Sequence, residues 1–273
     1  KDLKWRLNGN LSTNRIMVTD LGGLDEYAGG YTLFWDWRPY KIKVGEPLGI
    51  LYGYKVEKVM KTAQDVQHAA NNNPRKAIGE FDYVKDKDGN MQLMKIGNTN
   101  PDFIFGLSSE LNYKKWNLSF LIAGSIGQDI FNLNTRLFQQ DAQTLRKFYT
   151  DGWIPEVKNA AGEIVIPDNG GTLPVYRSIN GRSLNVPYDL LVEDGSWIKL
   201  RNVTLSYSFA SSRISWLREL KPFISGSNLF CIDNYSGLDP EASVYGQDPT
   251  RRGMAYGEYP MARTFSFGLQ ATF

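Results

Sequence analysis

Histidine and cysteine each occur only once in these 273 residues, as His68 and Cys231. One cysteine rules out an intrachain disulfide and a cysteine-rich metal site. One histidine removes most hydrolytic triads, zinc centres and phosphorelays, which draw on imidazole. The stretch Gln67-His68-Ala69-Ala70-Asn71 has no catalytic spacing. His68 therefore reads as a solvated loop residue in a chain that is not expected to be an enzyme. Charge of one sign is lacking too: 31 basic and 29 acidic residues leave a net +2. That balance gives no reason to expect a nucleic-acid partner.

Long apolar runs are also missing. A membrane helix needs roughly 18 consecutive apolar residues, and the longest candidate, Phe120 to Ile126, contains Gly124 and Ser125. A helical membrane protein is not expected, whereas a β-barrel is allowed because half of each strand is polar. The opening Lys1-Asp2-Leu3-Lys4-Trp5 has charge without an apolar core, so it is not a signal peptide. The expectation is a mature chain or a piece of a longer precursor.

Aromatic residues are plentiful, with 15 Tyr, 14 Phe and 7 Trp beside 26 Gly. This mixture suits sheets and barrels, and it suits carbohydrate or peptide contact equally well. Alternation decides more. Phe265, Phe267, Leu269, Ala271 and Phe273 share one face, against Thr264, Ser266, Gly268, Gln270 and Thr272. The same period of two recurs in residues 3–16, 102–113, 116–127, 196–210 and 220–231. In the 196–210 run, Trp197, Lys199, Arg201, Val203, Leu205, Tyr207 and Phe209 are predicted to share a face, against Asn202, Thr204, Ser206 and Ser208. Several runs exceed the five or six residues of soluble strands and match the nine to eleven of tilted membrane strands. Trp5, Tyr113, Trp116, Trp197 and Tyr207 stand near strand ends, as interfacial girdles or as ordinary cross-strand packing.

Residues 48–60 are expected to add a strand and Tyr31 to Val44 another, for a total of six to eight. Lys114-Lys115 reads as a tight hairpin and 211–219 as a short connection. By contrast, 61–101, 128–195 and 233–261 are long. Barrels of the outer membrane combine short periplasmic turns with long outer loops, which points Phe273 towards the periplasm. Leu137 to Tyr149 is predicted as a helix and Pro167 to Gly171 as a turn. Asp86-Lys87-Asp88-Gly89-Asn90 opens like a calcium loop, but Gly97 stands where its final Glu belongs, so a charged turn is the better reading. No metal or cofactor site is predicted.

Four ordered blocks carry a family resemblance. They are Val44-Gly45-Glu46-Pro47-Leu48-Gly49 with Tyr52-Gly53-Tyr54; Gly97-Asn98-Thr99-Asn100-Pro101-Asp102-Phe103; Val192 to Val203; and the tail. The tail block includes Asn228-Leu229-Phe230, Tyr235-Ser236-Gly237-Leu238-Asp239-Pro240-Glu241 and Tyr259 to Leu269. Together they resemble the end of SusC/RagA-type TonB-dependent transporters of Bacteroidetes.

That resemblance implies an all-β fold, a transmembrane antiparallel barrel of 22 strands with an N-terminal plug and long extracellular loops. Residues 1–273 would be its C-terminal part, the last six to eight strands, without the plug and earlier strands. It further implies TonB-energised import of an oligosaccharide or oligopeptide across the outer membrane of a Gram-negative bacterium. The implied partners are the remaining barrel strands and plug, TonB through that missing region, outer-membrane lipid and a SusD-like surface lipoprotein. Phe265, Phe267, Leu269 and the terminal Phe273 look like the outer-membrane assembly signal, or are simply the last apolar positions.

Long outer loops are the natural place for substrate. Trp35, Trp37, Trp153, Tyr176 and Arg177 are the candidates for substrate or lid contact there, with loop packing as the alternative for each. Arg136 and Arg182 could likewise meet polar ligands. Two other readings stay open: a small self-contained outer-membrane barrel for adhesion or structure, and a soluble glycan-binding β-sandwich.

Overall fold

The computed structural model describes residues 2–29, 38–137, 151–174, 186–210, 216–241, 243–246 and 248–273. In chain order the strands begin with β1 (Leu3–Ser12), β2 (Glu26–Ala28), β3 (Lys41–Lys43), β4 (Ile50–Tyr54), β5 (Val56–Val59) and β6 (Phe81–Tyr83). Then come β7 (Leu93–Asn98), β8 (Phe103–Tyr113), β9 (Trp116–Ile126), β10 (Asp129–Asn132), β11 (Val157–Lys158) and β12 (Ile164–Ile166). The last are β13 (Val192–Asp194), β14 (Trp197–Tyr207), β15 (Phe209–Ala210), β16 (Glu219–Asp233), β17 (Met254–Ala255) and β18 (Thr264–Thr272). Two short helices, α1 (Ala63–Gln67) and α2 (Leu133–Leu137), complete the set.

Six long strands form one antiparallel wall in the order β1-β8-β9-β14-β16-β18, with β15 continuing β14 along β16. Their short connections, including Lys114-Lys115, all lie at one end. Three excursions, residues 13–102, 127–196 and 234–263, all leave from the other. Strands of 9 to 15 residues at about 3.3 Å per residue are long enough to cross a hydrocarbon layer when tilted.

The wall has one apolar and one polar face, because side chains alternate and register partners point the same way. Leu3, Tyr113, Trp116 and Tyr207 form a single cross-strand row at the short-turn end of the apolar face. Trp116 meets Tyr207 edge-on at 4.8 Å, and Phe273 stacks on Trp216 at 5.5 Å. These rings pack across strands at the short-turn end, where the sequence placed Tyr113, Trp116 and Tyr207. Trp5 also lies on the apolar face, where its indole N–H donates to Ser109 Oγ at 3.0 Å. The final strand presents Phe265, Phe267 and Leu269 outward, and Phe267 is 79% exposed. Opposite them, the polar face carries Arg6 against Glu110 at 3.3 Å, with Asn112 and Asn117 donating to the same carboxylate.

Trp197 departs from expectation. The register slips by one residue between Leu200 and Asn202 in both ladders of β14. Trp197 pairs with Ser125 while Val203 pairs with Phe120. An odd step separates those partners, so Trp197 and Lys199 lie on the polar face and Ile198 and Leu200 join Val203 on the apolar one. A β-bulge inserts one residue and turns the strand over. Alternation read straight through 197–207 had put both ends on one face.

The strands expected at 48–60 and in Tyr31 to Val44 are not part of the wall. β4 and β5 belong to small two-stranded sheets with β7 and β6, and β3 pairs with β2. The wall therefore has six strands among the described residues, the lower end of the predicted range. Residues 30–37 lie outside the described set. So does nearly all of the helix expected over Leu137 to Tyr149; α2 ends where it was to begin.

These excursions are not loose loops. Tyr40, Leu51, Phe81 and Tyr83 from the first, Phe131, Trp153 and Leu191 from the second, and Met254 from the third share one buried cluster. β10 joins them, antiparallel to β13 and parallel to β17. A head with its own core thus stands on the open end of the wall. Within it, residues 86–90 form the charged turn, where Asp86 Oδ1 accepts the amides of Asp88 and Asn90.

Neither free edge of the wall, along β1 and along β18, has a strand partner among the described residues. Among the described residues no second sheet covers the apolar face, as a sandwich requires. Six strands are also fewer than the eight of the smallest membrane barrels.

Glycine is required at Gly124, where a Cβ would run into the ring of Phe105, its register partner. Gly124→Val is expected to destabilise the wall by about 1–3 kcal/mol through overpacking. The readout is a lower temperature for loss of the folded band of the full-length protein in detergent gels. Adding Phe105→Ala should recover part of that drop; an unchanged temperature in Gly124→Val would refute the packing.

Candidate functional site

The four sequence blocks come together where the head meets the outer end of the polar face. Asn98 donates its amide to Asp129 Oδ2 at 2.7 Å, and the Thr99 hydroxyl donates to the carbonyl of Gly49 at 3.0 Å. Arg252 reaches over from the third excursion and donates to the Asn100 side chain at 2.8 Å and the Thr99 carbonyl at 3.2 Å. Glu193 accepts from the amide and hydroxyl of Ser236, both at 2.8 Å, and from Asn132.

The kink between wall and head depends on two glycines. Gly127 has φ +91°, and a Cβ on Gly195 would collide with Ile130. Gln128 closes the kink by donating to the Gly195 carbonyl and accepting from Ser125 Oγ.

Below the kink, the bulge places Lys199, 5% exposed, between Asp239 and Glu241, each 2.6 Å from its ammonium. Arg201 takes the other oxygen of Glu241. Both cations also sit against the Trp197 ring, at 5.3 and 4.9 Å from its centroid. Burial acts to raise the Asp239 carboxyl, but the Lys199 ammonium and the amides of Glu241 and Met261 outweigh it and hold it below its usual value. At Asp129 the balance reverses. Burial pushes its carboxyl up and Asp194 adds to the rise, with only the Asn98 amide opposing.

Above Trp197 lies a cavity of about 360 Å³ that reaches Ile104, Gln128, Asp129, Glu241 and Arg252. A second of about 150 Å³ continues past Arg252 to Ser12, Asn14 and Phe103. This is a polar recess with aromatic and aliphatic walls, able to hold an elongated ligand and lacking a nucleophile–base pair among its described lining residues.

Of the residues expected to meet substrate, the structure places Trp153 in the head core, 4% exposed. Its indole N–H donates to Asp168 Oδ1 at 3.0 Å, inside the turn predicted at Pro167 to Gly171. That buried ring anchors the second excursion and has no open face for stacking. Trp35, Trp37, Tyr176, Arg177 and Arg182 lie outside the described residues, and so does the side chain of Arg136. His68 caps α1, its Nδ1 2.8 Å from the carbonyl of Gln64. Trp197, Gln128 and Arg252 were missed. Only Trp197 carried a signal, its ring beside two cations, and the bulge concealed its direction.

No protein-family model matches the chain. The chain is 28% identical over 289 residues to TonB-dependent receptor P26 of Formosa agariphila, covering all of this chain and 27% of that protein. It is 24% identical over 296 residues to TonB-dependent receptor SusC of Bacteroides thetaiotaomicron, covering all of this chain and 25% of the relative. Its fold superposes on the RagAB peptide transporter with a TM-score of 0.69 at 17% identity, over all of this chain and 28% of that one. RagAB in its open-open state gives 0.68 at 16%, over all of this chain and 27% of that one.

Along its whole length the chain is similar to a segment of SusC/RagA-type TonB-dependent receptors. It spans about a quarter of the length of the curated relatives it matches. The chain thus pairs an open β wall with the head that stands on its end.

Removing the Lys199 ammonium leaves buried Asp239 without its cation, while Glu241 keeps Arg201. Lys199→Met is expected to cost about 3–5 kcal/mol locally and to expose residues 234–263 to protease in the full-length receptor. Because the folded value of Asp239 lies below that of an unfolded chain, its contribution is present above the ordinary carboxylate range. It is lost as pH falls through the depressed value. Protease sensitivity of residues 234–263 should therefore rise in acid in the native receptor and change less with pH in Asp239→Asn. Equal pH profiles would count against the clamp.

Proposed function

We propose that this segment forms the C-terminal stretch of barrel wall and part of the outer mouth of a nutrient importer in a Gram-negative outer membrane. The observation that carries the reading is the wall itself. Among the described residues it has one apolar face that no other sheet covers, one polar face, a row of rings at the short-turn end, and two edges without a strand partner. An open sheet in lipid leaves backbone groups unpaired, which supports completion by the rest of a longer chain. In this reading the apolar face meets lipid, the polar face lines the lumen, and the head stands outside the cell.

Energy comes from TonB through a plug contributed by other parts of the protein. A SusD-like surface lipoprotein covers the mouth, and the cargo is an oligosaccharide or oligopeptide. The relatives named as TonB-dependent receptors, and the likeness to a structure named as a peptide transporter, support this assignment. Phe265, Phe267, Leu269 and Phe273 act as the assembly signal, which fits their place on the last strand, facing outward. Trp35, Trp37, Tyr176 and Arg177 remain the proposed loop contacts to cargo or lid.

The test is made on the full-length receptor in its own host. It is expected to fractionate with outer membranes, to copurify with a surface lipoprotein, and to support uptake that stops when the proton gradient is collapsed. Recovery in the soluble fraction, or uptake indifferent to the gradient, would overturn the proposal. Phe273→Ser should lower the amount of folded receptor in the membrane several-fold, measured by gel mobility without boiling.

A further inference from the structure

Four consecutive register partners form the floor beneath the two cavities: Ser12 with Ile104, Ile104 with Ser125, and Ser125 with Trp197. All four lie on the polar face at its outer end. The larger cavity includes Ile104, Ser125 and Trp197, the smaller one Ser12 and Ile104, and both include Pro101 and Arg252. They are two parts of one trough across four strands. Three inter-strand steps of about 4.8 Å make it about 14 Å long, the length of roughly four residues of extended chain.

Arg252 is the one cation among the described residues lining this trough. Its recorded hydrogen bonds go to a backbone carbonyl and an amide oxygen, both uncharged acceptors. No carboxylate pairs with it among the described residues. Burial draws its guanidinium below the usual value, although an arginine stays charged. A half-buried cation without an opposite charge is destabilising until an anion joins it. The acids of the trough do not fill that role. Glu241 is engaged by Lys199 and Arg201, and Asp129 accepts the amide of Asn98. The Ser243 hydroxyl, which also lines the larger cavity, is buried with no hydrogen-bond partner.

We infer that the trough is a binding subsite for an elongated ligand bearing a carboxylate, which the free edge of the Arg252 guanidinium pairs while Ile104 and Pro101, which line both cavities, support the ligand's apolar surface. A planar guanidinium suits a carboxylate because two N–H groups can donate in parallel. The carboxylate belongs to an acidic sugar or to a peptide; the pairing chemistry is the same. This rests on the importer reading for the supply of ligand, but binding itself requires no transport.

The experiment uses the full-length receptor purified in detergent and four probes, titrated by calorimetry with tryptophan emission as a second readout. Trigalacturonic acid is compared with its neutral methyl ester, and an acidic tetrapeptide with its fully amidated form. One acidic probe is expected to bind at least tenfold more tightly than its neutral counterpart, with the preference shrinking as salt is added. The pair that responds identifies the source of the carboxylate. Arg252→Gln should abolish the preference while keeping the folded band. Arg252→Lys should restore part of it. Arg251→Gln, at a residue paired with Asp248, should leave it intact.

Equal affinity within both pairs, absence of binding by all four probes, or a preference unchanged in Arg252→Gln would overturn the subsite. The salt titration on the unaltered receptor tests the charge pairing even if the variants fold poorly. A receptor that imports without any such preference sinks the subsite alone. One that binds acidic probes but does not import sinks the importer reading alone.

Discussion

One extra residue in β14 determines which way the outer end of the wall faces. Below the slip at Leu200/Asn202, Val203, Leu205 and Tyr207 lie on the apolar face; above it, the same parity carries Lys199 and Trp197 to the other side. A buried lysine is tolerable only where carboxylates meet it, and Asp239 and Glu241 from the third excursion do so at 2.6 Å. Were the strand regular, Lys199 would project from the apolar face and that excursion would lose its fastening. The bulge, the ion cluster and the recess above Trp197 are consequences of a single register change.

The head follows from a related constraint. Long connections that carry Tyr40, Phe81, Tyr83, Phe131 and Trp153 have too much apolar surface to remain separate in water. Three of them pool those side chains in one core, and β10 sits between β13 and β17 as the common seam. β9 and β14 run directly into that seam through the glycine kink at Gly127 and Gly195. The head is therefore continuous with the wall, and its position over the polar face is set by two backbone paths. A recess at such a junction gains its walls from both bodies, which is why residues distant in sequence, such as Ser12, Trp197 and Arg252, line neighbouring parts of it.

Much of the wall was legible. Period-two alternation located β1, β8, β9, β14, β16 and β18, because a sheet with one greasy face imposes that pattern on each strand separately. The hairpin at Lys114-Lys115, the turn at Asp168 and the charged turn after Asp86 were legible too, being local chemistry. The one strand expected over 48–60 is two short strands, β4 and β5, in separate sheets of the head, since a buried apolar pattern does not say which body buries it. For Trp153 the sequence left cargo contact and loop packing both open, and the structure buries the ring in the head core, because burial depends on residues more than sixty positions away, such as Phe81 and Met254. The site was legible only as four blocks of unexplained residues. Their convergence needed the fold.

By itself, the sequence determined that this is an amphipathic β wall with rings at its short-turn end and long excursions at the other. Those properties depend on side chains two residues apart, and a linear reading contains that spacing. Tertiary structure alone decided that Trp197 and Lys199 turn inward, that the excursions condense into a head, and that Arg252 lies between two cavities with no carboxylate pairing it among the described residues. A bulge is one residue of register between strands, and a recess is a distance between excursions. Neither quantity is present in the order of residues along one strand.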